Sequence, residues 1–275
     1  LVKLTATLPI SELRGSRAPF NYRIVPYTGG SDHYFFNDGS IGVPSTMLGH
    51  PDPYHHTAQD TPDKVDPTEL KRVCFIAAGS AWFMATAADA EAERLLHEMY
   101  RGSLGRFSDD VTEAEVAMRS SDSPEDLSAR YKDVLGVAKY AGLREKASLA
   151  SARVFSSSST TRVYIDEIVG SFTRVEQIRS KDVKDLYARL CKQRNITPRQ
   201  IELTSDERSA ASVIPIRSDS FKCPLRDDYL VQKLGREVAE SLPGLTGNAA
   251  WEAVNFVDGK RTLLEIYQAV NAEFG

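Results

Sequence analysis

The stretch from Gly29 to Leu70 reads GGSDHYFFNDGSIGVPSTMLGHPDPYHHTAQDTPDKVDPTEL, and it holds four of the five histidines of the chain. The alternating run Asn21 to Tyr27 leads into it, and the short run Val43 to Leu48 lies within it. Both runs are typical of strands that end in polar loops. Ligand sites of open α/β sheets lie beyond the carboxyl ends of strands. The stretch therefore predicts the end of an α/β domain with functional loops at one edge.

A helix is predicted directly after these loops. Asp66 is the expected N-cap, Pro67 takes the first helical position, and Glu69 lies in the first turn. The helix should run to about Ala88. Its predicted core positions recur at helical spacing, and they are Leu70, Val73, Ile76, Ala77, Ala81 and Met84.

The order of four separated motifs carries a resemblance to a known family. These motifs are Gly-Gly-Ser-Asp-His (29–33), Gly-Val-Pro (42–44), His-Thr-x-x-Asp-Thr (56–61) and Lys-Val-Asp (64–66). Together they resemble the carboxyl-terminal part of the MH-clan zinc aminopeptidases, relatives of bacterial leucyl aminopeptidase and glutaminyl cyclase. The resemblance covers about a quarter of the chain. It implies a three-layer α/β domain, one or two zinc ions as cofactor, and hydrolysis of an N-terminal peptide bond by metal-activated water.

The resemblance also implies roles for individual residues. His56, directly before the threonine of His-Thr-x-x-Asp, is expected to bind the metal. Asp32 is expected to support the catalytic site by hydrogen bonding, without touching the metal. The residues expected to line the substrate pocket are His33 and His55, and those expected to support the loop that aims His56 are Asp60 and Thr61.

The remaining ligands of the family site are expected upstream of Ser-Asp-His, where this chain offers Glu12 as its sole acidic residue. One histidine cannot hold two metal ions, so the chain by itself is expected to lack a complete catalytic centre. Two rival hypotheses stay open. One is a non-catalytic interaction or oligomerisation module derived from such an enzyme. The other is a glutaminyl cyclase, in which an aromatic residue is expected at the position of His55.

From Asp89 onward the sequence changes to amphipathic helical patterns. The predicted helices are Ala90 to Tyr100, Thr112 to Met118, Pro124 to about Ser151, Lys181 to Arg194, Asp227 to Leu242 and one that opens at Thr262; Ser156 to Thr161 is a predicted connector and Val163 to Val169 a predicted strand. The final turn and helix resemble the end of winged-helix or peptide-chaperone domains. The predicted domains are 1–88, the end of the zinc-peptidase-like α/β domain; 89–155, a helical accessory region; and 156–275, a helical or winged-helix-like region.

Composition narrows the classes of partner. A net charge of -4 gives no electrostatic reason for binding nucleic acid or an anionic membrane, and no run approaches the roughly 20 apolar residues of a spanning helix. Three distant cysteines predict reduced thiols. The expected partners are a peptide substrate and either a second copy or the N-terminal part of such an enzyme, with no nucleic acid and no membrane. The chain opens at Leu1 without a signal core, so the sequence assigns no localisation.

Overall fold

The structure is a computed structural model, and it describes residues 1–25, 31–37, 52–218, 231–232, 235–240 and 247–274. Its main helices are α1 (Val2–Thr7), α2 (His33–Phe36), α3 (Pro67–Thr86), α4 (Asp89–Arg119), α5 (Pro124–Ser151), α6 (Ser159–Gln193), α7 (Ser205–Ala211), α8 (Arg236–Glu240), α9 (Gly247–Asn255) and α10 (Leu263–Phe274). Short 3-10 turns cover Pro62–Lys64 and Ala152–Phe155. The chain forms two compact units, 1–37 with 41–87 and 38–40 with 88–275.

The described residues contain helices and no β-strand, so the predicted α/β fold is wrong. Residues 21–25 of the first predicted strand have no regular structure, and the second, Val43 to Leu48, lies outside the described residues. The third, Val163 to Val169, is part of α6. Its apolar side chains continue a helical spacing that places Ile165 and Phe172 in the core. The predicted winged-helix ending is wrong as well, because residues 247–274 contain helices α9 and α10 and no strand.

The second unit is built on a three-helix bundle of α4, α5 and α6. The C-terminal end of α6 lies beside the loop after α4. There Arg194 donates to the carbonyl oxygens of Ser121 at 2.8 Å and of Arg119 at 2.7 Å. At the opposite end, the Asp89 carboxylate at the start of α4 accepts from the Ser158 backbone N–H at 3.0 Å. Helix α6 therefore runs parallel to α4, and α5 runs antiparallel to both.

The bundle core is apolar and aromatic. Phe107 and Phe172 meet edge to face with centroids 5.3 Å apart, and Tyr131 stacks on Tyr187 at 3.9 Å. Such ring pairs stabilise a core beyond the area that they bury. Helix α10 packs on α5 and α7, and α9 packs on α10. The helical pair at 247–274 is thus attached to the bundle mainly through α5.

In the first unit, α3 is fixed at its N-terminal end. Asp66 caps the helix by accepting from the Thr68 and Glu69 backbone N–H groups, as predicted, and it also accepts from the Ser16 N–H at 2.9 Å. Arg72, 6% exposed, donates to the carbonyl oxygens of Ile10 and Ala18. These contacts hold residues 10–18 against the first turns of α3.

The predicted core face of α3 is largely wrong. Ile76 is buried, but Leu70 is 54% exposed and Met84 is 62% exposed. Ala77 and Ala81 are exposed as well, and Val73 is half-buried. The helix is apolar nearly all round, so its sequence spacing did not indicate which side packs inward. The side that packs inward carries polar contacts instead: the Thr68 hydroxyl accepts from the Glu12 N–H at 2.9 Å, and Arg72 donates to the Ile10 and Ala18 carbonyls.

Several predicted helix boundaries are confirmed. Pro124 follows the capping residue Ser123, whose hydroxyl accepts from the Asp126 N–H at 3.0 Å. Thr262 caps α10 by accepting from the Glu265 N–H at 3.2 Å. The two helices predicted at 90–100 and 112–118 are one continuous helix, α4. Among the described residues, none of the helices has the length and hydrophobicity needed to cross a bilayer.

Candidate metal-binding loop

The loop before α3 is a series of tight turns. Asp52 accepts the Tyr54 backbone N–H on its own carboxylate at 2.8 Å, which closes the first turn. The Thr57 N–H donates to the Tyr54 carbonyl at 2.9 Å, and the Asp60 N–H donates to the Thr57 carbonyl at 3.2 Å. Asx turns of this kind fold a short segment back on itself without regular secondary structure. The loop therefore brings Asp52, His55 and Asp60 close together.

Three side chains converge in this loop. One nitrogen of His55 and carboxylate oxygens of Asp52 and Asp60 all lie within 4.8 Å of one another, and all three residues are exposed. In the part of the chain that the structure describes, this is the one group of at least three His, Cys, Asp or Glu side chains close enough to share a metal ion. Imidazole and carboxylate are the ligand types of hydrolytic zinc sites. The group therefore has the donor types of a metal site.

His56, the predicted metal ligand, lies beside this group and not in it. Its ring stacks on the ring of His55 with centroids 3.8 Å apart and an angle of 27°. Its backbone is left-handed, with φ of 62°. That conformation is uncommon for residues other than glycine and is often found at functional positions. The metal-binding role of His56 stays a prediction, and the structure adds His55 as a neighbouring imidazole.

The residues predicted to support the loop lie at its exit. The Thr61 hydroxyl donates to the Gln59 carbonyl at 3.2 Å and also bonds the Asp63 carboxylate. Hydrogen bonds from Lys64 and Thr61 lower the pKa of Asp63 below its ordinary value. Asp60 itself belongs to the donor group, whereas the sequence analysis predicted that it only supports the loop. Thr61 therefore fastens the chain directly after Asp60.

Asp66 connects the loop to the rigid helix. Burial would raise the pKa of Asp66, but the backbone N–H groups of Glu69, Ser16 and Thr68 donate to it and hold the pKa below its ordinary value. The capping carboxylate is accordingly ionised over a wide pH range. Asp66 is the N-cap of α3 and lies six residues after Asp60. The end of the loop is therefore fixed to the helix.

Asp32 and His33 are not in the donor group. Asp32 immediately precedes the four-residue helix α2, and His33 is its first residue. Their predicted roles at the catalytic site and in the substrate pocket stay predictions. Asp52, in contrast, had no predicted role. The sequence signal for it was the run Asp-Pro-Tyr-His at 52–55, in which an Asx turn brings the carboxylate back towards the histidine three residues later.

Comparisons with known proteins give no relative for this chain. No family model matches it, and searches of curated proteins and of solved structures found no match. The resemblance to zinc aminopeptidases consequently rests on the motifs between residues 29 and 66 alone.

Proposed function

We propose that the loop at 52–66 is a zinc-binding element of an aminopeptidase-type peptide hydrolase. The observation that carries this proposal is the convergence of Asp52, His55 and Asp60 within 4.8 Å, next to the left-handed His56. The motif His-Thr-x-x-Asp-Thr supplies the family that this loop resembles. The proposal concerns the chemistry of the loop and does not need the α/β fold that was predicted around it.

The donor group fits a zinc ion in the chemistry of its donors. Two carboxylates and a neutral imidazole bring a charge of about -2 to balance Zn²⁺. Ligand atoms about 2.1 Å from a tetrahedral ion are about 3.4 Å apart, and the three donor atoms lie within 4.8 Å of one another. All three side chains are exposed, so rotamer changes can adjust the spacing of the donors to an ion.

The chain's own residues have separate tasks in this proposal. The imidazole pair His55 and His56 presents neutral nitrogen donors, and Asp60 adds a carboxylate whose position Thr61 and the Asp66 cap fix through the backbone. A bound zinc ion would supply Lewis-acid polarisation of the peptide carbonyl and a nucleophilic water at neutral pH. A complete two-metal site needs further carboxylate and histidine ligands, so this loop forms one wall of such a site.

Zinc binding by single-histidine variants tests the proposal. After equilibrium dialysis against a zinc buffer, the bound metal of the full chain is measured by mass spectrometry. We expect His56→Ala or His55→Ala to weaken binding at least about tenfold, because loss of even an outer contact to a metal ligand costs that much.

The matched control is His97→Ala, which removes an exposed histidine of α4 whose ring bonds the Tyr164 hydroxyl at 3.2 Å. It is expected to leave zinc binding unchanged. Zinc binding that survives in the double variant His55→Ala/His56→Ala would refute the proposal. So would a chain that binds no zinc under conditions where its helical content is normal.

A second candidate function is self-association through α3, and the exposed face of that helix favours it. Trp82 is 69% exposed, Met84 62% and Leu70 54%, and the run Val73 to Thr86 has no charged residue. A helix that is apolar all round is normally buried. If two copies paired antiparallel with Ala77 at the two-fold axis, Leu70 of one copy would face Met84 of the other.

Sedimentation of the chain over a range of concentrations tests this candidate. Ala77→Arg places a charge at the proposed two-fold and is expected to give monomers, because an unpaired charge at an interface core is costly. Ala78→Arg, an exposed change about 100° around the same helix from Ala77, is the matched control and should keep the dimer. A wild-type chain that is monomeric at every concentration would exclude the candidate.

A further inference from the structure

A polar cleft opens where α5, α7 and α10 meet in the second unit. Helix α10 packs on both other helices, and the Leu263 backbone N–H at its start donates to the Val213 carbonyl at 2.9 Å. The open space of the cleft is about 290 Å³, just below the roughly 300–1,000 Å³ of small-molecule sites. The cleft therefore has room for one side chain rather than for a whole cofactor.

One wall of the cleft is an ion pair that is satisfied within the chain. The Lys132 ammonium of α5 pairs with the Glu207 carboxylate of α7 and also donates to the Glu202 carbonyl at 3.2 Å. Glu207 in turn accepts from the Thr204 backbone N–H at 2.7 Å as part of the cap of α7. The charges of this pair cancel, and the pair holds α7 against α5.

The other polar side chains of the cleft have no such partners. Asp133 of α5 and Tyr267, Gln268 and Asn271 of α10 line it, and none of these side chains makes a hydrogen bond with the part of the chain that the structure describes. Gln268 and Asn271 are half-buried and lie one turn apart on the same side of α10. Partial burial raises the pKa of Asp133, and the attraction of Lys132 offsets only part of that effect. The cleft thus presents a carboxylate and two amides that are available to a ligand.

These groups define the chemistry of the ligand. Because Lys132 and Glu207 cancel, Asp133 leaves the cleft with a net charge of about -1, which favours a cation. The amide oxygens of Gln268 and Asn271 accept N–H donors. The ring of Tyr267 is 61% exposed and offers a flat aromatic face. A guanidinium matches all of these groups, since it is planar, always charged, stacks on aromatic rings and carries five N–H donors.

We propose that this cleft binds the guanidinium of an arginine side chain on a partner peptide. Asp133 pairs with the guanidinium, the two amides of α10 accept its remaining N–H groups, and Tyr267 stacks on its face. The α-carboxylate of free arginine would add a negative charge beside Asp133 and Glu207, so a residue within a peptide is preferred. The cleft lies in the second unit, and its binding does not depend on zinc at 52–66.

Nuclear magnetic resonance titration of the ¹⁵N-labelled full chain measures this binding. The probes are N-acetyl-arginine amide, N-acetyl-lysine amide and N-acetyl-citrulline amide, the last being a neutral analogue of arginine. We expect the arginine probe to shift the signals of α10 with a Kd below about 10 mM. The lysine probe should bind at least about threefold more weakly, and the citrulline probe at least about tenfold more weakly.

Two variants test the residues of the cleft. Asp133→Asn should weaken binding of the arginine probe at least about tenfold, because the guanidinium loses its charged partner. Gly136→Leu should block binding, since Gly136 lines the cleft and a Cβ there meets no heavy atom within 4 Å, which leaves the new side chain to fill the open space. Asp109→Asn, an exposed change on α4, is the matched control and should keep the wild-type Kd.

Three results would overturn the proposal. The first is the absence of saturable shifts up to about 10 mM of the arginine probe. The second is equal binding of the arginine and citrulline probes. The third is wild-type binding in both Asp133→Asn and Gly136→Leu when circular dichroism shows normal helical content. Tighter binding of free arginine than of the blocked residue would likewise contradict a peptide as the ligand.

Discussion

Replacing Ile165 with alanine tests the helical assignment of the segment that the sequence predicted as a strand. Ile165 is fully buried in the bundle core, while Val163, two residues earlier, is 57% exposed. In a strand, residues two apart lie on the same face; in a helix, they lie on different faces. The two substitutions Ile165→Ala and Val163→Ala therefore separate the two assignments.

The expected cost of Ile165→Ala follows from its burial. Truncation of a fully buried isoleucine to alanine removes transfer energy and leaves a cavity, for a total of about 3.5 kcal/mol in the free energy of unfolding. With a urea m-value of about 3 kcal/mol/M, the midpoint should fall by about 1.2 M. Val163→Ala should change the free energy by less than about 0.5 kcal/mol.

Urea unfolding of the full chain, followed by circular dichroism at 222 nm, measures both values. An equal loss for the two variants would indicate that Val163 and Ile165 share a face, which refutes the helix. A loss below about 1 kcal/mol for Ile165→Ala would refute its place in the core.

Two further predictions concern the first unit and the thiols. Gly15→Ala should destabilise the packing of residues 10–18 on α3 by about 1–3 kcal/mol, because a Cβ at Gly15 would lie 2.5 Å from the Thr68 backbone nitrogen; hydrogen exchange of that segment measures the effect, and unchanged protection would contradict it. In a Cys223→Ser background, a thiol reagent should label exposed Cys74 quickly and buried Cys191 only on unfolding. Equal labelling rates for the two thiols would disprove that burial, whereas Cys74 labelling that slows with protein concentration would support pairing through α3.

The helix ends were predictable because their determinants are local. The cap at Asp66, the start at Pro124 and the cap at Thr262 each depend on a side chain that reaches a backbone N–H two or three residues later. Such a bond forms within one turn whatever surrounds it. The sequence contained this information in full.

Whether the segment 163–169 forms a strand or a helix was not predictable in the same way. Its β-branched residues fit a strand by composition and a helix by spacing. The choice depends on Phe172 and Phe107, which meet edge to face at 5.3 Å although they are far apart in sequence. That contact exists only after α4 and α6 pack side by side.

In the candidate site, too, some features follow from the sequence and others only from the tertiary structure. The sequence by itself determined which residue types stand between Gly29 and Asp66, and hence the family that the motifs resemble. Only the tertiary structure decided that Asp52, His55 and Asp60 converge while His56 stacks beside them. It also decided that α3 turns Ile76 inward and Trp82 outward. The physical reason is that a hydrogen bond within one turn fixes each cap, whereas the grouping of donors depends on how several successive turns combine, and the direction of an apolar face on which distant segments pack together.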